Sequence, residues 1–197
     1  MNNKETSTIM KLAETAILAA LCYVSFTFLQ IKIPVGGDVT SIHLGNAVVV
    51  LGALVIGGPL GGIAGAIGMS IGDLLDPVYA PLVPKTLFCK FMIGIITGFV
   101  AHKLGHISQS NDSTHVFRFA TLGAIAGLVF NIFADPIIGY WYKLLVLGKP
   151  AAELSLTINF VATTINAVVS VIVSVVIYMA LRPALKKAGY FQVLRTA

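Results

Sequence analysis

The polar residues able to do chemistry in this chain stand in apolar surroundings, and their types suit recognition more than catalysis. In the run from 156 to 181, Asn159, Thr163, Asn166, Ser170 and Ser174 recur at i, i+4, i+7, i+11 and i+15, which is one face of a helix. Asn131 and Asp135 stand one turn apart in the preceding apolar run, just before the consecutive aromatics Tyr140, Trp141 and Tyr142. Lys90 lies inside another apolar run, His43 and Asn46 fall where a further helix begins, and Tyr79 sits in a proline-rich stretch. Carboxamides offer donors and acceptors on one group, and aromatic rings offer a face for stacking. Together they fit a small planar ring bearing nitrogens and hydroxyls. A nucleophile with its base, or metal ligands at helical spacing such as His-Glu-x-x-His, cannot be picked out, so neither an enzyme nor a metal or cofactor site is expected.

Each candidate has a structural counterpart. A polar group inside a membrane costs free energy unless it faces a partner or a cavity. Ser170 and Ser174 lie deepest and read as interhelical hydrogen bonders, whereas Asn159, Thr163 and Asn166 lie nearer the outer surface and read as ligand contacts. The aromatic triplet reads equally as an interfacial belt. Lys90 either snorkels to the surface or places a cation in a pocket, balanced by Asp73, Asp76 or Asp135. His43 reads equally as a helix-start cap.

Composition supplies the membrane. Hydrophobic residues make up 57% of the 197 and charged residues 11%, with a mean hydropathy of +0.92, far from the roughly 25% charged of soluble domains. The segment GGPLGGIAGAIGMSIGD, from Gly57 to Asp73, carries seven glycines in seventeen residues. Gly61, Gly65, Gly68 and Gly72 fall on one helical face, which in lipid lets another helix approach closely. Gly94 and Gly98, Gly123 and Gly127, and Ala16 and Ala20 repeat the small-xxx-small spacing. No glycine-rich loop ends in Gly-Lys-Ser or Gly-Lys-Thr, so an ATP site of that kind is missing.

Six apolar runs read as helices over about 12–29, 44–56, 60–75, 86–101, 116–134 and 156–181, the first as a helix rather than a cleaved signal. The expected fold is an all-α bundle of six transmembrane helices forming one domain, 1–197. Lys4, Lys11, Lys103, Arg118, Arg182, Lys186, Lys187 and Arg195 cluster at the termini and the 102–118 loop, whereas Asp38, Asp73, Asp76, Asp135 and Glu153 fall on the other side. The positive-inside rule therefore puts both termini in the cytoplasm. The net charge of +5 reflects orientation and anionic lipid, not nucleic acid. Two cysteines, Cys22 and Cys89, both inside helices, indicate no disulfide framework. Three long outer loops, IKIPVGGDVTSIH, DLLDPVYAPLVPK and DPIIGYWYKLLVLGKPAAELS, are expected to cover a pocket.

Six short helices with both ends inside, Ala16 and Ala20 in the first, the IHLGN run at 42–46, the glycine-rich third helix and the KFMIG run at 90–94 resemble the substrate-binding S component of an energy-coupling factor (ECF) transporter over nearly the whole chain. The resemblance implies a vitamin bound by the outer loops and helices four to six, of the riboflavin, pyridoxine or hydroxymethylpyrimidine kind. It also implies contact of Ala16 and Ala20 with a transmembrane coupling subunit, and two separate ATPase subunits that supply the energy. The rival is a self-sufficient secondary carrier, for which inverted repeats, broken helices or a coupling-ion site are expected, and none is visible in the sequence.

Overall fold

The computed structural model describes residues 3–35, 38–148 and 152–188. It contains helices α1 (Asn3–Thr27), α2 (Gly45–Ile56), α3 (Gly58–Leu74), α4 (Val83–Gly98), α5 (Ser113–Leu145) and α6 (Ala152–Lys187), with strands β1 (Gln30–Val35) and β2 (Asp38–His43) between α1 and α2. A 3-10 turn, Ala80–Leu82, leads into α4, and a π-helical segment, Phe99–Leu104, continues from it.

Two expectations are corrected. The first outer loop is a β-hairpin, so the fold is helical with a small antiparallel sheet rather than purely α. Its register runs from Gln30 opposite His43 to Val35 opposite Asp38. The local reason is the alternation in QIKIPV and the β-branched content of both strands, Ile31, Ile33 and Val35 on one and Val39, Thr40 and Ile42 on the other, which a pleated strand favours. Pro34 is tolerated because a two-stranded sheet is all edge. The GGD stretch marks a tight turn, and its Gly36 and Gly37 lie outside the described residues. The second correction concerns the third outer loop: α5 continues to Leu145, carrying Tyr140, Trp141 and Tyr142 on a helix. Pro136 does not end it, as proline within an apolar helix is tolerated where neighbouring helices support the backbone. Lys149, Pro150, Ala151 and Arg195 lie outside the described residues.

Among the described residues, four helical stretches are long and apolar enough to cross a membrane: Thr8–Thr27, Ala80–Leu104, Ser113–Leu145 and Leu156–Lys187. The 12-residue α2 spans about 18 Å at about 1.5 Å per residue, short of the roughly 30 Å hydrocarbon layer. It can be short because it is central. It packs against α1, α3, α4 and α6, and Val49, Val50, Ala53 and Leu54 are wholly buried.

The glycines of α3 explain how closely these helices meet. A Cβ at Gly61 would collide with the backbone of Ala53 on α2, and one at Gly68 with the Ala19 carbonyl on α1. On a second face, Gly58 and Gly62 meet Gly98 and Gly94 of α4 backbone to backbone. Thus α3 is sandwiched by contact that side chains would forbid. At the α2–α3 junction Gly57 adopts φ 94°, which glycine allows at little cost. At the same end of the bundle, buried Arg182 of α6 donates to the carbonyls of Ile107 and Ser110 at 2.8 and 2.7 Å, tying down the turn between α4 and α5.

Candidate binding site

The other end of the bundle gathers the C-terminal ends of α1, α3 and α5, the N-terminal ends of α2, α4 and α6, and the hairpin. Between them lies a cavity with about 70 Å³ open to the centres of water molecules. His43, Asn46, Tyr79, Lys90, Asn131, Asp135, Asn159, Thr163 and Asn166 all line it. The polar stripe of α6 divides there: Asn159, Thr163 and Asn166 reach the cavity, whereas Ser170 and Ser174 are fully buried below it.

Tyr140 and Trp141 are not among the lining residues. They stack edge to face on each other, centroids 5.4 Å apart, with Trp141 exposed on the outside of α5. The aromatic surfaces in the cavity are instead Phe26 and Tyr79, and Phe26 also meets the His43 ring edge to face at 4.9 Å.

An ionic cluster forms one wall. The Asp135 carboxylate accepts from Lys85 at 3.0 Å through one oxygen and from Lys90 at 3.5 Å through the other. Lys90 also faces the Asn131 carbonyl oxygen at 3.4 Å. Lys90 is buried, so it does not snorkel to the surface. Such burial is tolerable only because the charges are paired and hydrogen-bonded. Lys85, Asp73, Thr86 and Lys143 also line the cavity, although sequence reasoning gave none of them a binding role. The available signal for Lys85 was Pro84, which fits the first turn of a helix. Starting α4 at Val83 rather than 86 places Lys85 and Lys90 on the same helix, five residues apart.

The hairpin closes the cavity and is held at two points. Asn166 accepts from the His43 backbone N–H at 2.9 Å and donates to the Ser41 carbonyl at 3.0 Å. Lys32 pairs with Asp76 in the turn after α3 and stands over the Tyr79 ring, 5.6 Å from its centroid. Burial, reinforced by Lys90, pushes the His43 imidazole down to about 3, so it is neutral in the closed fold. The Lys32 contact holds the Asp76 carboxyl below the usual carboxylate range.

Ala16 and Ala20 lie far from this site. Both are exposed on the outer face of α1 beside Leu12, Ile17, Leu21 and Val24, so the small-residue spacing leaves an open face on the bundle.

A membrane bundle with a polar, charged cavity under a hairpin at one end defines a membrane-embedded binding protein for a small molecule. Residues 6–183 match the family described as ECF-type riboflavin transporter, S component. The chain belongs to that family, whose members are substrate-binding subunits of transporters and not enzymes. Among solved structures it is similar to the S-component for biotin from an ECF-type ABC transporter, at 21% identity and a TM-score of 0.63 over 93% of this chain and 95% of that one. It is also similar to ThiT from Listeria monocytogenes, at 20% identity and a TM-score of 0.60 over 93% and 97%. At these identities the likeness establishes the shared fold. No curated protein sequence matches the chain.

Proposed function

We propose that this chain captures a small planar heteroaromatic vitamin, of the pyridoxine, hydroxymethylpyrimidine or riboflavin class, at the outer face of the cell membrane and relies on partner subunits to move it. The observation that carries this reading is the polar cavity at one end of the bundle, where Asn46, Asn131, Asn159 and Thr163 supply hydrogen bonds and Phe26 and Tyr79 supply ring faces. Its end of the bundle is opposite Lys11, Lys103, Arg118, Lys186 and Lys187. With those residues in the cytoplasm, the cavity faces outward and both termini inward. Membership of the S-component family implies that two ATPase subunits supply the energy through a transmembrane coupling subunit, in keeping with a sequence that has no phosphate-binding loop. That subunit docks on the α1 face containing Ala16 and Ala20.

Purified protein in lipid vesicles tests the reading. It should bind the vitamin that copurifies with it, identified by mass spectrometry, without accumulating it. Uphill uptake should appear only when the coupling and ATPase subunits and ATP are added. Accumulation by the chain alone would overturn the proposal.

A further inference from the structure

Among the described residues, the buried polar atoms of the cavity without a hydrogen-bond partner include Asn46 Oδ1 on α2, Asp73 Oδ2 on α3 and His43 Nδ1 on β2. All three residues line the cavity and are more than nine-tenths buried. The Thr86 hydroxyl bonds the Asp73 carboxyl, leaving Oδ2 open. An orphaned buried acceptor is costly, and two of these three are acceptors by nature. From α4 and α5 comes the opposite chemistry. Lys85 and Lys90 share the single carboxylate of Asp135, so this cluster carries a formal excess of one positive charge.

The two features call for different ends of one ligand. A neutral ring with only amino and ring-nitrogen groups satisfies the acceptors but brings no negative charge to the lysines. A simple anion does the reverse and meets Asp73 with like charge. A dipolar ring does both. Size narrows the choice further. At roughly 10–15 Å³ per water by this measure, the cavity of about 70 Å³ holds about five to seven waters, the room of one substituted ring rather than three fused rings.

Building on the reading above, we infer that the cavity selects a single-ring zwitterion, a 3-hydroxypyridine of the vitamin B6 type, with its ring N–H⁺ donating to Asp73 and its ring oxygen anion facing Lys90 and Lys85. Asp73 is then a specificity-determining residue for the protonated nitrogen, with Asn46 accepting from a neighbouring hydroxyl.

Titration calorimetry on the purified full chain tests this with four probes: pyridoxine, 3-O-methylpyridoxine, 4-amino-5-hydroxymethyl-2-methylpyrimidine and riboflavin. Pyridoxine should bind tightest, and methylating its 3-oxygen should weaken binding at least about tenfold. That comparison uses the unaltered protein and does not depend on any variant folding. Asp73→Asn should weaken pyridoxine binding by about tenfold or more, and Lys90→Met should weaken pyridoxine while leaving the O-methyl analogue nearly unchanged. If the aminopyrimidine or riboflavin binds and pyridoxine does not, or if O-methylation is harmless, the inference is overturned while the vitamin-binding role stands. If none of the four binds and no vitamin copurifies, both fall.

Discussion

The carboxamide of Asn166 on α6 grips the backbone of His43 at the end of β2, accepting its N–H at 2.9 Å, and reaches the Ser41 carbonyl with its own amide at 3.0 Å. A residue whose position in a polar stripe marks it as a ligand contact thus spends these two bonds on holding the lid. Asn159, one edge of the same stripe, also lines the cavity but makes neither of these lid contacts.

The two asparagines should therefore fail differently. Asn166→Ala leaves a buried N–H and a carbonyl unpaired, at about 1–3 kcal/mol for such a group. In ligand-free protein, hydrogen exchange of the 38–43 strand should speed up by roughly 5-fold to 150-fold. Asn159→Ala should weaken ligand binding and leave that exchange near its original rate. Equal exchange in the two variants would show that Asn166 does not hold the hairpin.

Much of the bundle was legible because hydrophobic run length and glycine spacing are local signals. Gly61 and Gly68 announced close helix contact, and the structure supplies their partners, Ala53 and Ala19. The hairpin was less legible: GGD and a proline read as a loop, and the residues that anchor the hairpin, Asn166 on α6 and Asp76 after α3, lie far along the chain. The end of α5 was missed because Asp135 and Pro136 resemble a helix stop in water, while in this bundle Asp135 is paired with Lys85 and Lys90. Lys85 went unassigned, and Asp73 was read only as one of three counter-ions for Lys90, for the same reason. Their roles come from neighbours more than ten residues distant, which periodicity does not encode.

Acid should loosen the lid. His43 has its pKa lowered from 6.5 to about 3, so the closed form disfavours the proton and its advantage is lost as pH falls below about 6.5. Asp76 is also lowered; its contribution is present above the unfolded carboxylate pKa and disappears as pH falls through the folded one. Both effects have the same sign, and one proton changes stability by at most about 1.4 kcal/mol per pH unit. Intrinsic-rate-corrected hydrogen exchange of β1 and β2 should be faster at pH 5 than at pH 7.5. His43→Gln should flatten the part of that dependence due to the imidazole, and an unchanged profile would remove His43 from the account.

Packing of α3 on α1 gives a third test. Gly68→Ala puts a methyl group against the Ala19 carbonyl and within 2.8 Å of the Cys22 Cβ, both on a backbone that cannot swing aside. Overpacking of this kind costs about 1–3 kcal/mol, so the thermal midpoint in detergent should fall by several degrees. Gly57→Ala meets no atom within 4 Å but forces an alanine to φ 94°, about 1–3 kcal/mol of local strain. Combining the two should give nearly additive losses, since they act at different ends of α3.

The last expectation separates binding from transport. Ala16 and Ala20 are exposed on a face of α1 remote from the cavity, and a small-residue surface permits close approach of a partner helix. Ala16→Trp should leave ligand affinity within about twofold, since no lining residue moves, a difference of only about 0.4 kcal/mol. The same change should abolish copurification with the coupling subunit and, with it, ATP-driven uptake. Ala16→Gly keeps the surface small and should retain both. Should Ala16→Trp still assemble and transport normally, the coupling subunit docks on another face; should it lose ligand instead, α1 serves the pocket rather than the partner.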